Sequence, residues 1–211
     1  RAAFGVQDSK PLHTVMVGSK GMDFTGVANV LAGMLKSLDV TAKSRVVEVS
    51  RKDLVGGNTE KTTEMVAAVM KKVGSGGVLL LSDAASMCNE KSDHYGQLAL
   101  TQVVAHFEDE AAKAAEAAEK AARAKKNGNS KKKPAAPEPK SVLLVNAQRA
   151  ELANLFTAAP GLQGIIGNTL EFQDYTIGEM AQLLRQSTED KGFCLHKELT
   201  EEKLLDLLRS P

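Results

Sequence analysis

Four aliphatic residues in unbroken succession, Val78-Leu79-Leu80-Leu81, stand between Gly77 and the polar pair Ser82-Asp83. A strand with one face in water alternates apolar and polar residues. An unbroken run of this length therefore demands cover on both faces, the condition of a parallel sheet inside an α/β fold. Three further runs have a similar character: Thr14-Val15-Met16-Val17, Arg45 to Val49 (RVVEV) and Ser141 to Asn146 (SVLLVN). Thr169 to Phe172 supplies a fifth. Between them the period changes from two to about 3.6. From Thr25, Val27, Ala28, Val30, Leu31, Met34, Leu35 and Leu38 mark one helix face; Met65, Val66, Val69, Met70 and Val73 mark another within Glu60 to Val73. Leu98, Leu100, Val103, Val104 and Phe107 do so within Gln97 to Glu110, and Ala150 to Ala158 reads as a short helix. Strand and helix alternate, which predicts a doubly covered parallel sheet.

The first strand runs directly into Gly18-Ser19-Lys20-Gly21-Met22-Asp23-Phe24-Thr25 and then into the first helix. Strand, glycine-bearing turn and helix form the frame of a phosphate-binding loop, G-x-x-x-x-G-K-[ST]. Its backbone N–H groups and lysine surround phosphates while its hydroxyl holds Mg²⁺. In that register Gly18 takes the first glycine, Asp23 stands at the second, Phe24 replaces the lysine and Thr25 keeps the hydroxyl. Two like charges about 4 Å apart repel by about 4 kcal/mol at an effective dielectric of about 20, more than one hydroxyl restores. The frame is that of a nucleotide site whose chemistry has lapsed. Phe24 either plugs the vacated cavity or marks a surface that docks something else.

Residues 1 to 12, with Gly5 and Pro11, read as a surface approach to the first strand, and Ser86 to Tyr95 as a polar connection. Thr176 and Glu179 form a capping box that opens a helix to about Glu189, and a last helix begins around Thr200 and Lys203. Ala111 to Ala124 is almost all Ala, Glu, Lys and Arg and extends the preceding helix into solvent. Lys125 to Lys140 contains Pro and Lys but no large apolar residue and buries nothing. Nine Lys and Arg between Lys113 and Lys140 raise a contact with nucleic acid or an acidic protein as one function. Without an aromatic residue for base stacking, a solvated insertion is the favoured reading and nucleic acid the disfavoured one.

The net charge of +1 gives the chain no general attraction to nucleic acid or anionic membrane. Cys88 and Cys194 form no C-x-x-C pattern and read as reduced intracellular thiols. No run of 18 apolar residues is present, so no membrane-spanning segment is expected. The chain begins at Arg1 rather than Met, which suggests a piece of a longer protein and leaves the compartment unread. His13, His94, His106 and His196 lack catalytic or metal-binding neighbours in sequence and are assigned structural or surface roles; no metal site is expected. Glu108, Asp109 and Glu110 read as a solvated helix face. Met16, Met34, Met65, Met70 and Met87 read as core fillers.

The segments GSKGMDFTGVANVLAGMLKSL, VVEVSRKDLVGGNTEKT, GGVLLLSDAASM and APGLQGIIGNTLEFQDYTIGEM together resemble AAA+ ATPases of the branch containing red-type Rubisco activase and stage V sporulation protein K. The resemblance spans nearly everything except residues 111 to 140. It implies a P-loop NTPase-like αβα core with a five-stranded parallel sheet (1–110 and 141–175), interrupted by the insertion (111–140) and followed by the start of a small helical lid (176–211). It also implies ATP-driven rings that pull on client proteins.

Each functional station of that family is altered here. Ser82 stands where the first of two strand-terminal acids supports Mg²⁺, and Asp83 is a shortened version of the second. After Asp53-Leu54-Val55-Gly56-Gly57 an aromatic grips the client; here Asn58 follows. Pro160-Gly161-Leu162 continues to Gln163, Gly164, Ile165 and Ile166 instead of to trans-acting arginines. Asn146 is either a sensor-like residue or a strand-terminal hydrogen-bonding group. The expectation is a catalytically inactive AAA+ domain, structural or regulatory, assembling with other AAA+ subunits or an active AAA+ domain of the same chain. No catalytic residue and no cofactor are expected, Gly18, Gly21, Thr25 and Asp83 being vestigial contacts. The alternative is a regulator that still binds ATP and Mg²⁺ weakly through Gly18, Gly21 and the helix N-terminus near Thr25.

Overall fold

The computed structural model describes residues 12–88, 93–126, 140–194, 196 and 201–209. The readings of residues 1–11, of 89–92 within the polar connection, of 127–139 within the lysine-rich segment and of Thr200 lie outside the described residues. The chain divides into two units, Arg1–Phe172 and Gln173–Pro211.

The first unit is built on five parallel strands: β1 (His13–Val17), β2 (Val46–Val49), β3 (Val78–Leu81), β4 (Val142–Ala147) and β5 (Ile166–Glu171). Their spatial order is β2-β3-β4-β1-β5. All pairings are parallel, with Val49 beside Leu81, Leu81 beside Val145, and Val17 beside both Ala147 and Glu171. Every strand thus ends on one edge of the sheet, and the segments that leave those ends share that edge.

The fully aliphatic strands divide their side chains between two faces, as a period of two requires. Val15, Val17, Leu79, Leu81, Leu143 and Val145 turn to one side, where helices α3 (Thr59–Val73), α4 (His94–Lys126), α5 (Arg149–Ala158) and α6 (Pro160–Ile165) contribute to the core. Met16, Val78, Leu80, Val142 and Leu144 turn to the other, against Ala28 and Ala32 of α1 (Phe24–Ser37). The result is a three-layer αβα sandwich around a five-stranded parallel sheet, the P-loop NTPase-like architecture.

Packing on α1 differs from the expectation. Ala28 and Ala32 alone are fully buried, while Val30, Met34 and Leu38 are 63%, 57% and 57% exposed. Small side chains at the contact bring the helix close to the sheet, and a stripe too wide for one contact line leaves its far edge in solvent. Met34 is therefore no core filler, whereas Met16, Met70 and Met87 are buried. Two short α-helices, and a 3-10 turn at Ala84–Met87, are additional to the sequence reading. The four-residue α2 (Arg51–Leu54) follows β2, and α6 opens at Pro160 with proline in its first turn, where the missing N–H is harmless. The fifth strand begins at Ile166, three residues before the expected Thr169.

Helix ends follow local chemistry. Asn58 caps α3 by accepting the Lys61 N–H at 2.7 Å, and Gly74, at φ 61°, ends it with an N–H donated to the Met70 carbonyl. Helix α4 spans 33 residues, about 50 Å at the helical rise. Among its described residues the buried apolar side chains, Ala99, Leu100, Val103, Val104 and Phe107, lie in the first half, and residues 111–116 are exposed or half-buried. In the second unit, α7 (Ile177–Asp190) begins at the expected Thr176–Glu179 capping box and packs with α8 (Glu201–Arg209).

Candidate functional site

Gly18 leaves β1 at the sheet's C-terminal edge, where its N–H donates to the Ala147 carbonyl at 3.4 Å. A Cβ at Gly18 would stand 2.8 Å from Met22 Sδ, 3.1 Å from Phe24 Cζ and 3.3 Å from Phe172 Cβ. Both phenylalanines stand beside the glycine, Phe24 by its ring and Phe172 by its Cβ, and their rings meet edge to face, centroids 5.8 Å apart at 83°. Phe172 is fixed there by donating its N–H to the Val17 carbonyl at 2.8 Å. Phe24 is half-buried beside the β1 exit, against Gly18 and Phe172. Gly21 adopts φ 98°, a conformation closed to most other residues, and remains exposed beside Lys20.

Helix α1 begins at Phe24, so Asp23 is its N-cap. Its carboxylate accepts the Gly26 N–H at 2.8 Å. A helix N-terminus carries unpaired N–H donors and about half a positive charge, which is why it attracts anions. Here the chain supplies that anion itself. A Cβ at Gly26 would lie 2.3 Å from Asp23 Oδ2, so a larger residue there would turn the carboxylate aside.

The next two stations meet on a residue the sequence reading left aside. Thr25 Oγ1 donates to Glu48 Oε2 at 3.0 Å, and Ser82 Oγ donates to Glu48 Oε1 at 2.7 Å. Glu48 lies on β2, the strand beside β3, so its carboxylate spans from the start of α1 to the end of β3. A lone acid within the apolar strand VVEV was the available signal. Nothing in linear sequence ties it to Thr25, 23 residues earlier.

Asp83 is exposed in a left-handed backbone conformation (φ 52°, ψ 51°). Its N–H donates to Asn146 Oδ1 on the neighbouring β4, while its carbonyl accepts from Ser86 N–H at 3.0 Å and Ser86 Oγ at 2.7 Å. Asn146 acts as a strand-terminal acceptor that shapes the turn bearing Asp83. On the same edge, Arg149 at the head of α5 pairs with Glu171 at the end of β5. The structure thus gathers Gly18, Thr25, Ser82, Asp83 and Asn146 at one sheet edge and adds Asp23, Glu48 and Phe172 to them.

The remaining stations lie elsewhere. Asn58 spends its side chain capping α3, and Ile165 is buried at the end of α6. Arg51 links α2 to the connection between β3 and α4 by donating to the Ser86 carbonyl at 2.9 Å and pairing with Asp93. That hydrogen bond is the main reason the Asp93 carboxyl is held below its ordinary range. Among the described residues no group of three or more His, Cys, Asp or Glu side chains is placed to hold a metal ion, and no helix is long and apolar enough to cross a membrane.

No family model matches the chain. It is 23% identical to Stage V sporulation protein K of Bacillus subtilis (strain 168) over 209 residues, covering 99% of this chain and 56% of that protein. It is 25% identical to Protein CbbX of Cereibacter sphaeroides over 198 residues, covering 92% and 54%. The chain thus spans about half the length of these relatives. Among solved structures, a chain of the E. coli MS115-1 HORMA:CdnC:Trip13 complex superposes with a TM-score of 0.53 at 15% identity over 95% of this chain and 58% of that one. A Thermotoga maritima RuvB mutant gives 0.50 at 14% identity over 85% and 44%.

Proposed function

From the premise that the chain belongs to the AAA+ ATPase family, we propose that this domain has the fold of an ATPase without its turnover, and serves as a fixed structural or regulatory element beside active AAA+ subunits or an active AAA+ domain of the same chain. The observation that carries this reading is the Asp23 carboxylate seated on the Gly26 N–H at the start of α1. An ATP phosphate needs that helix end as its cradle, and a carboxylate already satisfies it while repelling a second anion. The residues present do not fit Mg-ATP. Phe24 occupies the lysine position and packs on Phe172, and both hydroxyls next to the metal position, Thr25 and Ser82, are bound to Glu48.

Phosphoryl transfer is catalysed almost wholly by positioning and by neutralising charge on the transferred group. Here an aromatic ring stands at the lysine position with a carboxylate beside it, and the segment following Pro160 offers a buried Ile165 in place of an arginine. A phosphate-release assay tests the reading: purified protein with ATP and Mg²⁺ gives no rate above the blank. Turnover that disappears in Asp83→Ala would overturn it.

A weakly binding regulator is the second reading, favoured by the positive φ retained at Gly21 and by the exposed Lys20 in the same loop. It differs in expecting ATP binding by the unaltered chain.

A further inference from the structure

We propose that the His13 imidazole is a proton-operated lock on the entry to the sheet: a proton on Nδ1 frees the first rung of β1 from β4, while Thr14 to Val17 stay paired. Those four residues lie in register with Leu144 to Ala147 of β4. One step earlier the pattern breaks. The Leu143 N–H donates at 3.0 Å to Nδ1 of the His13 ring, a side chain accepting where a parallel ladder ordinarily offers a carbonyl. The pairing with β5 is irregular at the same place, its register shifting between His13 and Thr14. At its first rung β1 is thus held to β4 by a side chain.

That acceptor works in one protonation state only. A neutral imidazole accepting at Nδ1 carries its proton on Nε2, whereas the imidazolium has an N–H at both nitrogens and turns a donor toward the Leu143 N–H. His13 is 8% exposed, and its ring meets Phe107 of α4 edge to face, centroids 5.0 Å apart, so little water can replace the lost bond while the rung stays shut. β4 and α6 carry no titratable side chain, and β5 has only Glu171, at its far end. On α4, the His106 ring lies 5.9 Å from that of Phe107, with Nε2 3.8 Å from Glu110 Oε1. Burial alone pushes the His13 pKa down from 6.5 to about 4, and no neighbouring charge contributes.

The closed rung therefore binds fewer protons than the open one. It is favoured in full above the free value and loses that advantage as pH falls toward the folded one. Opening a single rung brings the ring to water and gives up few contacts, whereas opening the whole sheet gives up the core. The lock lies at the opposite edge of the sheet from the Gly18 loop and stands independently of the function proposed above.

NMR of the uniformly nitrogen-15-labelled chain from pH 7.5 to pH 4 tests this. At neutral pH the ring is expected as the Nε2–H tautomer, with a coupling across the hydrogen bond between the Leu143 amide nitrogen and His13 Nδ1. On acidification that coupling is lost and the Leu143 amide shifts as the ring protonates, while the amide signals of Thr14 to Val17 keep their positions. In His13→Gln, whose side-chain carbonyl can still accept, the Leu143 amide should not move over the same range. The unaltered protein decides the matter by itself if that variant does not fold. An Nδ1–H tautomer at neutral pH, a Leu143 amide that stays put while the ring protonates, loss of the Thr14 to Val17 signals together with that of Leu143, or the same Leu143 shift in His13→Gln would overturn the proposal.

Discussion

Asp23 shows how one residue changes meaning between sequence and structure. In the loop pattern it is an intruding acid at a glycine position; in the fold it is a helix cap accepting from Gly26. The first meaning follows from spacing, the second from where α1 begins. Glu48 carries no motif, and its partnership with Thr25 and Ser82 arises from the adjacency of β2 and β3 and the closeness of α1. His13 was legible only as a histidine without catalytic neighbours. The fold buries it, lets Nδ1 accept the Leu143 N–H at 3.0 Å, and sets its ring edge to face with Phe107 at 5.0 Å. Burial pushes its pKa down from 6.5 to about 4. The folded state then binds fewer protons than the unfolded chain between those values, so this contribution to stability is complete above the unfolded value and is lost as pH falls toward the folded one. The shift corresponds to about 3 kcal/mol across the window. Urea unfolding at pH 7 and pH 4.5 should show most of this loss in the unaltered protein, and less of it in His13→Gln. An equal acid loss in both proteins would assign the effect to other groups.

Whole elements divide in the same way. The strands were legible because aliphatic runs covered on both faces have few other uses. The start of α7 was legible because Thr176 and Glu179 cap it by local chemistry. Helix α6 was not, since Pro160, Gly161 and Gly164 in six residues read as a loop until packing buries Leu162 and Ile165. Helix α4 supplies two predictions. Near its start, Gly96 sits where alanine would ordinarily stabilise a helix by about 1 kcal/mol. A Cβ there would stand 2.2 Å from the Met87 carbonyl oxygen, which belongs to backbone and cannot swing aside. Gly96→Ala should therefore lower the thermal midpoint, by about 5 °C or more. An unchanged or raised midpoint would mean that the turn at Met87 yields. Beyond Phe107 no side chain described on α4 is fully buried. Replacing residues 111–139 by a Gly/Ser bridge of matched span, with Lys140 kept for its N–H donated to Val40, should shift the midpoint by no more than about 2 °C. A fall of about 10 °C would show that the segment packs on the core.

At the scale of the whole molecule, the architecture follows from side-chain patterning, whereas the state of the site depends on which polar groups the fold brings together. The parallel sheet places the phosphate-loop frame, the end of β3 and the end of β4 on one edge. At that edge, groups that would receive a nucleotide are satisfied by Asp23, Phe24 and Glu48. If these internal partners are what exclude nucleotide, removing the cap and the ring should restore binding without restoring chemistry. Asp23→Gly with Phe24→Lys frees the helix end and supplies a cation, while Ser82 and Glu48 stay as they are. Calorimetric titration of both proteins with ATP and Mg²⁺ is the most direct test. The account predicts measurable binding by the double variant, at least about tenfold tighter than by the unaltered protein, a gap of about 1.4 kcal/mol. Micromolar binding by the unaltered chain would contradict it.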